Sequence, residues 1–132
     1  MGSGQTVWGQ LAHLAGTYGS QYVDGYGVTL RIGVIAFVGG LLLGLALTVL
    51  RISPIPPLRA AVSAYVELFR NIPVLCLLIF VVFALPEVGV VIDYEPCVVL
   101  TLILVSSSFA CDNLRTGINA IDPGQIEAAR SL

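Results

Sequence analysis

Apolar residues run without a charge from Ile32 to Leu50. A bilayer hydrocarbon core about 30 Å thick takes roughly 20 helical residues, and extension back to Val28 supplies that length. A second apolar run goes from Ile72 to Leu85 and is closed by Pro86 and Glu87, with Val88–Ile92 available to extend it toward the far interface. A third goes from Pro96 to Cys111, and its last turn carries Asp112 and Arg115. None of the three runs keeps a polar face with which to wet a soluble domain, so the pattern predicts three membrane-spanning helices. Asp112 and Arg115 stand three apart on one helix, and each is costly if left alone near lipid. They are therefore predicted to pair with each other.

The segments between the runs have their own patterns. Residues 1–27 are polar, glycine-rich and almost uncharged. Trp8, Leu11, Ala12, Ala15, Tyr18 and Tyr22 recur there in steps of three or four. Two readings stay open: a short helix in the membrane interface with Trp and Tyr at headgroup level, or an unstructured tail. The segment lacks the basic start, immediate apolar run and small-residue cleavage site of a secretory signal. Its single His13 reads as polar surface.

Pro54, Pro56 and Pro57 hold off a helix until about Leu58. From there Leu58, Ala61, Val62, Tyr65, Val66 and Phe69 form an apolar stripe at helical spacing, with Arg59, Ser63, Glu67 and Arg70 opposite. This is an amphipathic helix, on which Glu67 and Arg70 are spaced to pair across one turn. At the other end, Asp122-Pro123-Gly124-Gln125 reads as a helix start. Asp122 caps, Pro123 takes the first helical position, and Gln125 falls where a capping box places Glu or Gln. The helix that follows, through Glu127, Ala128, Ala129 and Arg130, has a small smooth patch suited to insertion into a partner's groove.

Composition sharpens this picture. The chain is 57% apolar and only 11% charged, against about a quarter charged for a soluble domain, and its mean hydropathy is +0.94. Lipid is its main solvent. Every basic residue is an arginine, and these stand singly, which excludes a nucleic-acid surface. Cys76, Cys97 and Cys111 have no metal or redox spacing and read as small packing residues. Arg51, Arg59, Arg70, Arg115 and Arg130 fall on one side of the predicted spans, and only Arg31 on the other. By the positive-inside rule the N-terminus is outside and the C-terminus cytoplasmic.

The segment Ala120-Ile121-Asp122-Pro123-Gly124-Gln125-Ile126-Glu127-Ala128-Ala129-Arg130-Ser131-Leu132 resembles the EAA loop of permease subunits in binding-protein-dependent ABC importers. Three more segments resemble motifs of the polar amino acid branch of that superfamily, which serves glutamate, glutamine, histidine and related solutes. They are Tyr65-Val66-Glu67-Leu68-Phe69-Arg70-Asn71-Ile72-Pro73, Phe83-Ala84-Leu85-Pro86, and Phe109-Ala110-Cys111-Asp112-Asn113-Leu114-Arg115-Thr116-Gly117-Ile118. The likeness runs from about residue 28 to the end. It departs from the family at Asp112, where the family usually has the longer Glu, and at Leu132, where the chain stops just before the motif's Gly.

The resemblance implies an all-α integral membrane fold. Residues 1–27 would form an extracytoplasmic segment, and residues 28–132 the N-terminal portion of a type I importer permease, cut within the EAA loop. It would hold three spans, a cytoplasmic amphipathic helix and a coupling helix, in a bacterial plasma membrane. The implied function is ATP-driven import of polar amino acids, glutamate among them. Partners would be a separate ABC ATPase, an extracytoplasmic solute-binding protein, a second permease subunit and membrane lipid. Glu127, Ala128 and Ala129 would dock the ATPase. No catalytic residue, cofactor or metal is expected, and no phosphate-cradling Gly-rich loop with Lys and Ser or Thr is present. Two rival classes remain: a non-transporting membrane remnant or assembly protein, and half of a secondary transporter. The second usually carries ionisable or broken-helix sites near the membrane midplane, whereas these spans are almost free of charge.

Overall fold

The computed structural model describes residues 6–131. Five helices follow one another, and no strand occurs among the described residues: α1 (Val7–Arg51), α2 (Pro56–Asn71), α3 (Val74–Glu87), α4 (Tyr94–Asn119) and α5 (Pro123–Arg130). Proline marks most of the starts. Pro56 and Pro57 open α2 and Pro123 opens α5, at positions where a missing N–H costs nothing. Pro73 immediately precedes α3.

α1 and α4 are the two helices long and apolar enough to cross a membrane. α1 has 45 residues and is therefore about 68 Å long, more than twice a bilayer core. It runs through residue 27 without a break, so residues 7–27 are neither a separate interfacial helix nor an unstructured tail, and residues 1–5 lie outside the described residues. Trp8, Tyr22 and Tyr26 are exposed on it.

The expected middle span differs from its prediction. α3 has 14 residues, about 21 Å at helical rise, and falls short of the 30 Å core. Val88–Ile92 does not extend it. Pro86 lies in its last turn, and Gly89 takes a φ of +84°, which only glycine adopts without strain, so the chain turns there. α2 and α3 together are apolar enough for one crossing, but they meet at a bend of 101°. Asn71-Ile72-Pro73 makes that bend, because the residue before a proline is driven out of the helical region; Ile72 sits at ψ 126°.

The packing is inverted relative to a water-soluble protein. Phe37, Leu42, Phe80 and Phe83 point outward, while Thr48, Thr101, Ser107 and Ser108 are buried. Their hydroxyls are not orphaned. Thr48 donates to the Gly44 carbonyl at 2.7 Å, Thr101 to Cys97 at 2.8 Å, and Ser108 to Val105 at 2.6 Å. Small polar residues thus line the helix contacts with their hydrogen bonds closed inside the helices, as a lipid solvent requires.

α1 and α4 form the main contact, and α2 and α3 both pack on α4. The seam of α1 is Ala36, Gly40, Gly44 and Thr48. At Gly44, a Cβ would stand 2.6 Å from the Ala110 Cβ and 2.9 Å from the Ser107 carbonyl oxygen. The second contact is backbone and cannot rotate away. Among the glycines of the apolar part of α1, Gly39, Gly40 and Gly44 face α4, whereas Gly33 meets nothing within 4 Å. The α2 stripe also docks: Val62 and Val66 are buried with Cys111, and Tyr65 packs beside them.

Gly44→Ala is accordingly expected to force α1 from α4 and cost about 1–3 kcal/mol. Gly33→Ala should be neutral or slightly stabilising. Thermal unfolding of the two variants in the same detergent checks this, and equal midpoints would exclude Gly44 as the closest approach to the α4 backbone.

Candidate functional site

The C-terminal ends of α1 and α2 converge on the last third of α4. Each of those two helices carries an arginine in its last turn, Arg51 on α1 and Arg70 on α2. That placement is favourable by itself, since a helix C-terminus carries partial negative charge. Asp112 of α4 lies between them. Arg51 Nη1 donates to Asp112 Oδ1 at 3.1 Å, and Arg70 Nη1 donates to Asp112 Oδ2. One carboxylate therefore ties three helices together.

The two halves of this cluster differ in burial. The Arg51 side chain is 8% exposed, Asp112 30% and Arg70 40%. The Arg51 Nε is buried without a hydrogen-bond partner among the described residues. Losing Asp112 would strand the Arg51 charge and one more of its donors. Arg70 has other support, its guanidinium lying 5.4 Å from the centre of the Phe109 ring. Arg51, Arg70, Glu67 and Asn71 line a groove of about 360 Å³ beside the cluster.

These contacts correct two expectations. Asp112 pairs with Arg51 and Arg70, not with Arg115, and Arg70 reaches across to α4 instead of back to Glu67. Arg115 forms no ion pair among the described residues. The cause is tertiary: α4 presents Asp112 to the place where two basic helix ends meet, which a pair within one helix cannot match. Arg51 and Arg70 were thus missed as partners of Asp112. The available signal was that both close a helix and both are the wrong polarity for lipid.

A second polar tie lies one turn and more above. The Tyr65 hydroxyl of α2 bonds the Leu104 carbonyl at 3.1 Å and the Ser107 hydroxyl at 2.8 Å. At the N-terminal end of α4, Glu95 pairs with Arg31, which lies midway along α1, and both are well exposed.

α5 stands apart. Among the described residues it packs on no other helix, and Glu127, Ala128, Ala129 and Arg130 are all exposed. Asp122 caps it as expected, its Oδ1 accepting from the Gly124 N–H at 2.7 Å. Gln125 contributes through its backbone, whose N–H bonds the Asp122 carbonyl at 3.0 Å. Its side chain makes no return bond, so the cap is single-armed. A short turn links α5 to α4, with the Ala120 N–H bonding the Thr116 carbonyl at 3.1 Å. No group of metal-ligating side chains occurs among the described residues.

A membrane-inserted helical bundle with polar seams and a free, capped terminal helix defines a class of integral membrane component. Residues 36–132 match the family described as binding-protein-dependent transport system inner membrane component, and the chain belongs to that family. It is 40% identical over 112 residues to a probable glutamine ABC transporter permease protein, GlnM, of Bacillus subtilis, a match covering 85% of this chain and 52% of that protein. It is 38% identical to the arginine transport system permease protein ArtQ of the same species, over 83% of this chain and 51% of that one. It is 32% identical to the glutamate transport system permease protein GluC of Corynebacterium efficiens, over 96% and 58%. The crystal structure of an amino acid ABC transporter with histidines superposes with a TM-score of 0.82 at 34% identity, covering 86% of this chain and 53% of that chain. The chain spans about half the length of the curated relatives it matches.

Removing one partner of a buried charge pair costs about 3–5 kcal/mol, and Arg51 is buried. Asp112→Asn is expected to approach the low end of that range, because the carboxylate is only partly covered. In double-mutant cycles read by unfolding in detergent, Asp112 and Arg51 should couple clearly. Asp112 and Arg115 should be additive within about 0.5 kcal/mol. Coupling to Arg115 instead would restore the pairing within α4.

Proposed function

We propose that this chain is the N-terminal part of a permease subunit that imports polar amino acids, with α5 as the element through which a separate ATPase drives the membrane helices. The observation that carries this reading is the isolation of α5. A helix of 8 residues is too short to be stable by itself. This one is capped, exposed at Gly124, Gln125 and residues 127–130, and packed on no other helix among the described residues, so its packing partner lies outside the chain. Ala128 and Ala129 give it a surface that a groove can approach closely. Relatives named for glutamine, arginine and glutamate transport support polar amino acids as the solute class.

The proposed topology has three crossings: α1, the bent α2–α3 unit, and α4. α2 lies along the cytoplasmic surface, with Arg59 and Glu67 facing water, and α3 penetrates from it. The ends of α1, α2 and α4 that carry Arg51, Arg70 and Arg115 face the cytoplasm, and α5 with them. The N-terminal part of α1, residues 7–27, projects outside. Residues 28–132 make the permease portion. An extracytoplasmic binding protein delivers the solute, and a second permease subunit completes the pathway.

Reporter fusions after residues 10, 60 and 131 test the orientation. Activity of a cytoplasmic reporter is expected at 60 and 131 only, and activity at 10 would reverse the topology.

The coupling role is tested in the assembled importer. Charge at such a rim contributes only about 0–1 kcal/mol, so packing should dominate. Ala129→Trp is expected to reduce ATPase co-purification and amino acid uptake at least tenfold while the permease stays in the membrane, and Glu127→Gln to reduce them less than threefold. Unchanged co-purification and uptake for Ala129→Trp would exclude α5 as the docking element.

A further inference from the structure

Transmission from α5 into the membrane has to pass through α4, which is one continuous helix from Tyr94 to Asn119. What α4 carries with it depends on how it is fastened to its neighbours. Its fastening to α1 is close and dry: Gly40 and Gly44 admit Ser106, Ser107 and Ala110, and the Arg51 charge at the end of that seam is 8% exposed. Its fastening to α2 is looser. The Tyr65 hydroxyl and the Arg70–Asp112 pair are its polar ties, and the Arg70 side chain is 40% exposed. Arg70 also has an alternative partner within reach, Glu67 one turn back on α2, whereas the Phe109 ring 5.4 Å away belongs to α4 and moves with Asp112.

We propose that Asp112, Arg51 and Arg70 form an asymmetric joint, in which the Arg51–Asp112 link holds α1 to α4 while the Arg70–Asp112 link opens and closes as α5 moves. Arg51 and Arg70 are positioning residues. They act on transport through helix placement and touch neither solute nor nucleotide. The inference rests on the permease reading above.

The buried pair is the permanent one because breaking it would leave an unpaired charge in a site closed to water. The exposed pair is the exchangeable one because water and Glu67 take over the guanidinium when Asp112 withdraws. A displacement of α5 then moves α1 and α4 together and shears them against α2. The Asp112 carboxylate is the pivot of that shear.

The test uses the complete importer, permease with ATPase and solute-binding protein, reconstituted in liposomes. Assembly, thermal midpoint, and the amount of glutamine carried per ATP hydrolysed are measured. So is the distance between spin labels at the exposed Ala61 on α2 and Asn113 on α4, with and without ATP. Arg70→Gln is expected to leave assembly and thermal midpoint close to wild type but lower the solute carried per ATP at least fivefold. It should also remove the ATP dependence of the Ala61–Asn113 distance. Arg70→Lys should restore more than half of both. Arg51→Gln should instead lose folded permease. The joint is overturned if Arg70→Gln keeps wild-type coupling, or if its loss of transport only follows lost assembly. A label distance that ignores ATP in the wild type overturns it as well. If the wild-type complex carries none of glutamine, glutamate or arginine, the permease reading fails, and the joint with it.

Discussion

Close approach of α1 and α4 is the constraint on which the rest of this structure depends. In lipid no hydrophobic effect drives one apolar helix against another, so helices associate through packing and closed hydrogen bonds. Gly40 and Gly44 bring the backbones of α1 and α4 near enough for Ser107 and Cys111 to touch α1 directly. That contact sets the position of α4, and α2 and α3 are then placed by packing on α4. The polar residues lie on these seams because their hydroxyls are satisfied by carbonyls of their own helices, while Leu, Val, Ile and Phe fill much of the outside.

The same seam decides where charge is tolerated. Arg51 is buried at the end of α1, in a place that would be prohibitive for an isolated guanidinium. It is admitted because α4, held close, brings Asp112 to it, and because the α1 C-terminus supplies partial negative charge. Arg70 reaches the same carboxylate from the end of α2. Two of the basic residues that stand on one side of the proposed spans therefore also fasten the helices together.

Much of this was legible in the residue pattern. The apolar runs located α1, α3 and α4, the stripe from Leu58 to Phe69 located α2, and Asp122-Pro123-Gly124 located the start of α5. These are local matters of periodicity, proline geometry and capping, and a one-dimensional string carries them. The likeness to binding-protein-dependent permeases was equally visible, since its motifs are contiguous segments. The family match over residues 36–132 bears it out.

The misses concern where helices continue or stop and which segments meet. Continuity of α1 through residues 7–27 was not readable, because glycine-rich, weakly apolar sequence is compatible with helix or tail. The end of α3 at Glu87 turned on Pro86 and the positive φ at Gly89, where apolar Val88–Ile92 suggested continuation. Above all, the partner of Asp112 could not be found along the chain. Sequence proximity favoured Arg115, three residues away, whereas the actual partners lie 61 and 42 residues away. The sequence by itself determined which segments are helical, which seek lipid and which residues bear charge. Only the tertiary structure decided which charges meet, because that depends on the crossing of α1, α2 and α4, and backbone approach at glycine sets that crossing.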